Sequence, residues 1–403
     1  MKLKYLVFFI FIVNLCFRCN AAKRVNTMQI LDSITGDGYD NRIRPHGPDE
    51  DGDEPVNVKL NVYVRSISNI DDVGMNYKVQ LTLRQEWNDE RLAYDDMGGK
   101  IRNIPTNDLH KIWIPDLFFA NEITARYHDV LTPNVLIRIY PNGNVLTSVR
   151  VSLSLSCPMN LKNFPLDRQI CSIIFVSYAH PVDELVLLWR EIDPVEITRS
   201  LTSSITEFHL IKYQTDYCKS RTKTGEYSCL RVDFILKREA KTYMLLVYIP
   251  NTMLVIMAWI SFWIPQKSAL IRSSVAVGSL LALFFHVVFV NGITLPLVPY
   301  TKAIDVWTGM CLTFVFQAFV EFIFVHCLWV KKQRQNNSSS DFEMKQLAEN
   351  ASHVPVESNV IISYWKRADW SHRIDIFFRI FYPIGFGIFN ICYWVAYVGA
   401  DSE

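Results

Sequence analysis

The chain has 403 residues, half of them hydrophobic and 20% charged, with 41 Lys and Arg against 40 Asp and Glu. A net charge of +1 offers nucleic acid no basic field, and there is no acidic excess of the kind that keeps a chain disordered. Long charge-free stretches in the last part of the chain exclude a soluble enzyme.

In chain order, Lys2 and Lys4 precede an apolar run from Tyr5 to Phe17, and the small residues Ala21 and Ala22 follow. This is the pattern of a secretory signal peptide over 1–22, so 23–241 is expected outside the cell. The acidic run Asp49 to Glu54 reads as a solvated loop. Beyond it, Val56, Val58, Leu60, Val62 and Val64 alternate with Asn57, Lys59, Asn61, Tyr63 and Arg65. Tyr77 to Leu83, Val145 to Leu155 and Leu230 to Leu236 repeat the alternation. Strands with one buried and one wet face predict an antiparallel sandwich, and Pro141-Asn142-Gly143-Asn144 predicts a hairpin turn.

Four cysteines fall in this exported region: Cys157, Cys171, Cys218 and Cys229. An even number in an oxidising compartment predicts two disulfides. Of the three possible pairings, proximity favours Cys157–Cys171 and Cys218–Cys229. They bring no CxxC or HxxxH with them, so neither a metal nor any cofactor is expected.

The remainder is apolar. Thr242 to Gln266, Ser273 to Thr301 and Ile380 to Ala400 contain no charged residue, and Val306 to Val330 contains only Glu321. About 20 apolar residues cross a bilayer, so four spans are predicted over 242–264, 269–293, 304–330 and 376–398. Pro250-Asn251 interrupts the first, which membrane helices tolerate where neighbours satisfy the freed carbonyl. Lys331-Lys332-Gln333-Arg334 marks a cytoplasmic flank. Hence 331–373 is a cytoplasmic linker, polar and largely unstructured except near Tyr364 to Trp370, and both termini lie outside. The sequons at Asn336, Asn337 and Asn350 all fall in that linker and stay unglycosylated.

Cys157 to Cys171 encloses CPMNLKNFPLDRQIC, a short loop expected to expose Phe164-Pro165 as a knuckle. With WIPDLFFANE, SYAH, TGEYSCLR, WISFW and KAIDVW in the same order, the chain resembles the Cys-loop pentameric ligand-gated ion channels, in their anion-conducting branch. TDYCKSRTKTGEYSCLR and LTLRQEWNDERLAY are similar to the invertebrate glutamate-gated chloride channels in particular. The resemblance implies an extracellular antiparallel β-sandwich followed by a four-helix transmembrane bundle. It further implies a homo- or hetero-pentamer in a plasma membrane, probed at its outer face by a transmitter and typical of the postsynaptic side.

By the same resemblance, ligand sits between neighbouring sandwiches. Ser177, Tyr178, Thr224 and Tyr227 belong to the principal face, and Arg65, Arg84 and Ser148 to the complementary one. The chemistry agrees with L-glutamate: two arginine forks suit two carboxylates, and tyrosine rings suit an ammonium. Glycine or GABA, each with one carboxylate, is the alternative. Phe118 and Phe119 are expected to pack rather than to touch ligand.

The second span is implied to line the pore, with Arg272 as a ring at the cytoplasmic mouth and Ser274, Gly278, Leu281, Phe285 and Val288 along one stripe. Leu281 matches the family's gate, an apolar constriction that closes by dewetting. No Asp or Glu occurs between Lys267 and Asp305, and Ile271 stands where cation-selective relatives carry Glu, so chloride is the expected ion. Gly309 occupies the place where a macrocyclic lactone wedges in glutamate-gated relatives; helix packing is its other reading. This chain departs from the family at Leu270-Ile271 and at Ala282 to His286, where Phe285 would narrow the pore. An accessory subunit that does not conduct alone is therefore a further reading, and His286 is expected to be a packed histidine.

Overall fold

The computed structural model describes residues 27–36, 38–47, 54–96, 98–99, 101–199, 207–293, 298–349 and 370–399. The expected signal peptide lies outside them, as does the helix expected near Tyr364, up to its last residue. The chain divides into two units: Met1–Met159 with Gln169–Lys237, and Asn160–Arg168 with Arg238–Glu403.

In the first unit a short helix over 27–34 precedes the strands. They are β1 (Val56–Asp71), β2 (Asn76–Asn88), β3 (Ile104–Thr106), β4 (Leu117–Phe119), β5 (Glu122–Tyr127) and β6 (Val135–Ile139), then β7 (Asn144–Ser156), β8 (Arg168–Ser177), β9 (Leu185–Trp189), β10 (Val195–Ile197), β11 (Phe208–Thr222) and β12 (Gly225–Arg238). One sheet runs β10-β1-β2-β7-β6-β3, with β9 also on β1 and β5 also on β7; the other runs β11-β12-β8-β4. The alternation carries the packing. Val56, Val58, Leu60, Val62 and Val64 are buried together with Tyr77, Val79 and Leu81, and from the other sheet Ile173, Phe175, Val232 and Phe234. Phe175 meets Trp189 edge-on at 6.0 Å, and Tyr77 donates from its hydroxyl to the Ser172 carbonyl at 2.9 Å. Each such apolar side chain contributes about 1.5–3 kcal/mol by leaving water.

Two local departures matter for the site. Val64 pairs with Leu81 but Ser66 with Gln80, so Arg65 is an extra residue, a bulge that turns its side chain outward. After it the buried set changes parity, and Ile67, not an even-numbered residue, enters the core. Asn61 stands on the outward face yet is 2% exposed, because β10 lies beside it and Asp193 O accepts from its amide at 2.6 Å. Both expected disulfides are present, Cys157–Cys171 between β7 and β8 and Cys218–Cys229 across the β11–β12 hairpin. At the β6–β7 turn Gly143 has φ +81°, a left-handed conformation that glycine adopts without steric cost.

The second unit holds four helices long and apolar enough to cross a membrane, among the described residues: Lys241–Trp263, Ala269–Phe289, Ala303–Arg334 and Trp370–Val398. The first contains a π-helical turn, Met244–Tyr248, ahead of Pro250. Proline has no N–H to return to the carbonyl four residues earlier, that of Leu246; His286 Nε2 lies 2.9 Å from that oxygen. This is the packed role expected for His286, with its partner identified. The third helix continues to Glu349 as one element of 47 residues, where the sequence had suggested an unstructured linker after Val330. No Gly or Pro interrupts 331–349, so nothing local stops the helix. The fourth is helical throughout Trp370–Gly399, ahead of the apolar stretch as well as along it, and Asp375 in that forward part is buried.

The loop Asn160–Arg168 belongs to this second unit. Phe164 is fully buried and not an exposed knuckle: Tyr243 stacks edge-on against it at 4.9 Å, and the Arg238 guanidinium sits 4.5 Å from its ring centre. Ala303 and Ile304 donate backbone N–H groups to the carbonyls of Lys162 and Phe164 at 2.9 and 3.2 Å. Asp167 holds Arg238 at 2.8 Å with both side chains buried.

Candidate functional site

Two separate clusters gather the predicted ligand residues, one on each sheet. The first lies on the outward face of β1, β2 and β7. Asn61, Arg84 and Ser148 form one row across these strands, and Tyr63, Thr82 and Arg150 the next. The Arg65 bulge lets its Nε donate to Thr82 Oγ1 at 2.9 Å, with the guanidinium 5.2 Å from the Tyr63 ring centre. Arg84 approaches the same ring at 5.9 Å. Thus two guanidiniums flank one tyrosine.

Arg84 is also held by Asn61 Oδ1 at 2.9 Å and Glu196 Oε1 at 2.8 Å. Arg190 reaches the same carboxylate at 3.4 Å. With Arg65, Arg84 and Arg190 against Glu196, the patch is net positive and fit for an anion. Glu196 and Arg190 lie far along the sequence from Arg84, and no local pattern marks them as partners.

The second cluster lies around the β8 end and the β11–β12 tip. Asp116 accepts from the Ala179 N–H and lies 3.0 Å from Ser177 Oγ, while the Asp116 carbonyl accepts from the Tyr178 N–H at 3.1 Å. This turn presents Tyr178, 75% exposed, against the edge of Phe118 at 5.7 Å. Ser177 is 1% exposed and serves the turn, so its hydroxyl is not presented for ligand. Asp116, within the WIPD motif, is the positioning residue that sequence reading passed over.

At the hairpin tip the hydroxyls of Thr222, Thr224 and Tyr227 form a chain, 2.8 Å and then 2.9 Å long. Val182 N–H donates to the Glu226 carbonyl at 2.9 Å, which ties the Tyr178 turn to β12 beside Tyr227. Lys219 pairs with Glu226 at 3.0 Å across the hairpin and holds its carboxyl below the usual range. Among the described residues no hydrogen bond, ion pair or ring contact joins the two clusters, nor does any group of three or more His, Cys, Asp or Glu offer a metal site.

Family models decide the class. One described as the neurotransmitter-gated ion-channel ligand binding domain matches residues 27–240, and one described as the neurotransmitter-gated ion-channel transmembrane region matches 247–357. The chain belongs to the neurotransmitter-gated ion-channel family. It is similar to the Drosophila melanogaster protein named "Glutamate-gated chloride channel", 42% identical over 429 residues covering 94% of this chain and 93% of that protein. As a member it is a multi-pass membrane channel protein and not an enzyme.

The channel's second span carries the predicted stripe exposed: Leu281, Phe285 and Val288 are 49, 64 and 53% exposed, and Ser274 and Gly278 are exposed too, while Leu281 also lines a cavity with Leu312 and Phe316 of the third span. Arg272 departs from expectation. Its side chain is buried, 2.8 Å from Glu321 on the third span and 2.7 Å from Asp375 on the fourth. Gln266 donates to the same Asp375 at 2.8 Å. A guanidinium enclosed by two carboxylates cannot serve as an open ring of positive charge. Lys267, in the turn just before the helix, is exposed and offers a cation there in its place. Gly309 lies in the third span with no atom near where a side chain would begin.

Proposed function

We propose that this chain is a subunit of a pentameric chloride channel opened by L-glutamate. The observation that carries the reading is the pair Arg65 and Arg84 on either side of Tyr63. Two fork-shaped donors match a ligand with two carboxylates, and the similar Drosophila protein bears the name of that activity. Since the two clusters occupy different sheets, a ligand touching both is best served by two copies: Arg65, Arg84 and Ser148 from one, Tyr178, Thr224 and Tyr227 from its neighbour. Ligand that favours a closed-in hairpin shifts the population toward the open state.

Anion preference is supported by the acid-free interval between Lys267 and Asp305 and by Lys267 itself. Residues 1–22 act as the signal peptide, 23–241 lie outside, and both termini are extracellular at a postsynaptic plasma membrane. The exposed Phe285 favours one second reading, a subunit that contributes a binding face but conducts only beside related subunits. A lactone wedge at Gly309 belongs to the same reading of the family.

Whole-cell recording with glutamate, glycine, GABA and acetylcholine, under chloride substitution, tests ligand and ion together. Current to glutamate that reverses at the chloride potential is expected; reversal that tracks sodium overturns the selectivity. Silence alone with current on co-expression assigns the accessory role. Glycan at Asn350 would reverse the topology.

A further inference from the structure

At the C-terminal end of the third span, His326, Cys327, Val330, Lys331 and Arg334 line a groove of about 410 Å³. They recur at helical spacing, so one face joins an apolar floor to two cations. Lys331 and Arg334 are exposed, and neither has an ion-pair partner among the described residues. From Phe322 to Ser340 the chain contains no Asp or Glu, which leaves no acid one turn away along the helix. The buried carboxylates of Glu321 and Asp375 are already engaged by Arg272.

This end of the unit also carries aromatic markers of a membrane boundary. Phe322, His326 and Trp329 stack in succession, with centroids 5.8 and 5.9 Å apart. Trp263 and Trp370 are 57 and 76% exposed, and the Arg379 guanidinium lies 4.9 Å from the Trp263 ring centre. Tryptophans with flanking cations typify the headgroup level.

We infer that the groove holds an anionic phospholipid, its phosphate between Lys331 and Arg334 and an acyl chain along Val330 and Cys327. A zwitterionic headgroup brings its own cation and gains less from an uncompensated basic pair. The inference rests on the proposed orientation, which places this end at the leaflet rich in anionic lipid. Each juxtamembrane cation is worth roughly fivefold in affinity.

The test is native mass spectrometry of the full-length protein in detergent with equimolar phosphatidylserine and phosphatidylcholine. Phosphatidylserine adducts should exceed phosphatidylcholine adducts by about tenfold or more. The Lys331→Gln, Arg334→Gln double variant should lose about that preference, and Lys331→Arg should keep it. If the double variant fails to assemble, the single variants, each expected to lose roughly fivefold, decide the matter. Equal retention of both lipids, or a preference that survives the substitutions, overturns the site. Displacement by soluble glycerophosphoserine at equal concentration also overturns it, since the groove would then serve a free phosphate. No agonist or current enters this measurement, so its failure leaves the gated-channel reading standing, and a silent agonist panel leaves the lipid site standing.

Discussion

Arg272 of the second span lies 2.8 Å from Glu321 of the third, with both side chains almost wholly buried. Asp375 completes the cluster from the fourth span. Removing the guanidinium leaves two buried carboxylates without a counter-charge, at a cost of about 3–5 kcal/mol. Arg272→Gln should therefore lose surface expression and melt earlier in detergent. Joint replacement by Met at 272 and Leu at 321 and 375 should fold, because apolar groups of similar volume often substitute for buried ions without loss. An Arg272→Gln protein as stable as wild type would contradict the ion cluster.

Ion selection should then respond to Lys267. Lys267→Glu places an acid at the exposed turn before the pore helix and is expected to move the reversal potential away from that of chloride. The readout is the permeability ratio under chloride substitution, in homomers or with a conducting partner subunit.

Among the described residues Arg65 has one hydrogen-bond partner, Thr82, so its loss should leave the fold intact. Arg65→Ala is expected to raise the glutamate concentration for half-maximal response by roughly 10- to 100-fold, the worth of a charge-assisted hydrogen bond. A glycine response should change little. Arg84→Ala also releases Asn61 and Glu196, so binding and thermal stability should fall together.

His286→Ala leaves the Leu246 carbonyl, freed by Pro250, without the ring nitrogen now beside it. The expected penalty is about 1–3 kcal/mol, read as a lower melting temperature that His286→Gln partly restores.

Tyr39 gives a pH signature in the first unit. Its hydroxyl donates to Asp89 at 3.0 Å and accepts from Trp113 N–H at 2.9 Å, and burial together with the Asp89 charge raises its pKa to about 12. A raised folded value stabilises below the ordinary tyrosine range and is lost as pH climbs through about 12. The stability difference between wild type and Tyr39→Phe should hold constant from about pH 7 to 9. It should narrow above about pH 10, followed by denaturant melts at each pH.

Much of the fold was legible because it is written in periods. Val56 to Val64 and Tyr77 to Leu83 show strand alternation, and the four charge-poor stretches show span length. Cysteine proximity named both disulfides. What escaped depends on distant contact. Glu196 reaches Arg84 from another strand, and Asp375 reaches Arg272 from another helix, so neither leaves a trace in nearby sequence. Asp375 also misled the reading of its own helix, since a paired buried acid looks like an end to an apolar run. Beyond Val330 the third helix loses its apolar signal but keeps its backbone geometry, which composition does not report.

The extra residue in β1 makes the length of that strand as informative as its letters. Deleting Arg65 would erase a charge yet restore an unbroken two-residue rhythm, with Val64 and Ile67 still facing the interior and Ser66 outward against Gln80. A scan of one-residue deletions along this segment should thus find its tolerant point at position 65 and sharp intolerance where the pairing is regular, as over 59–64.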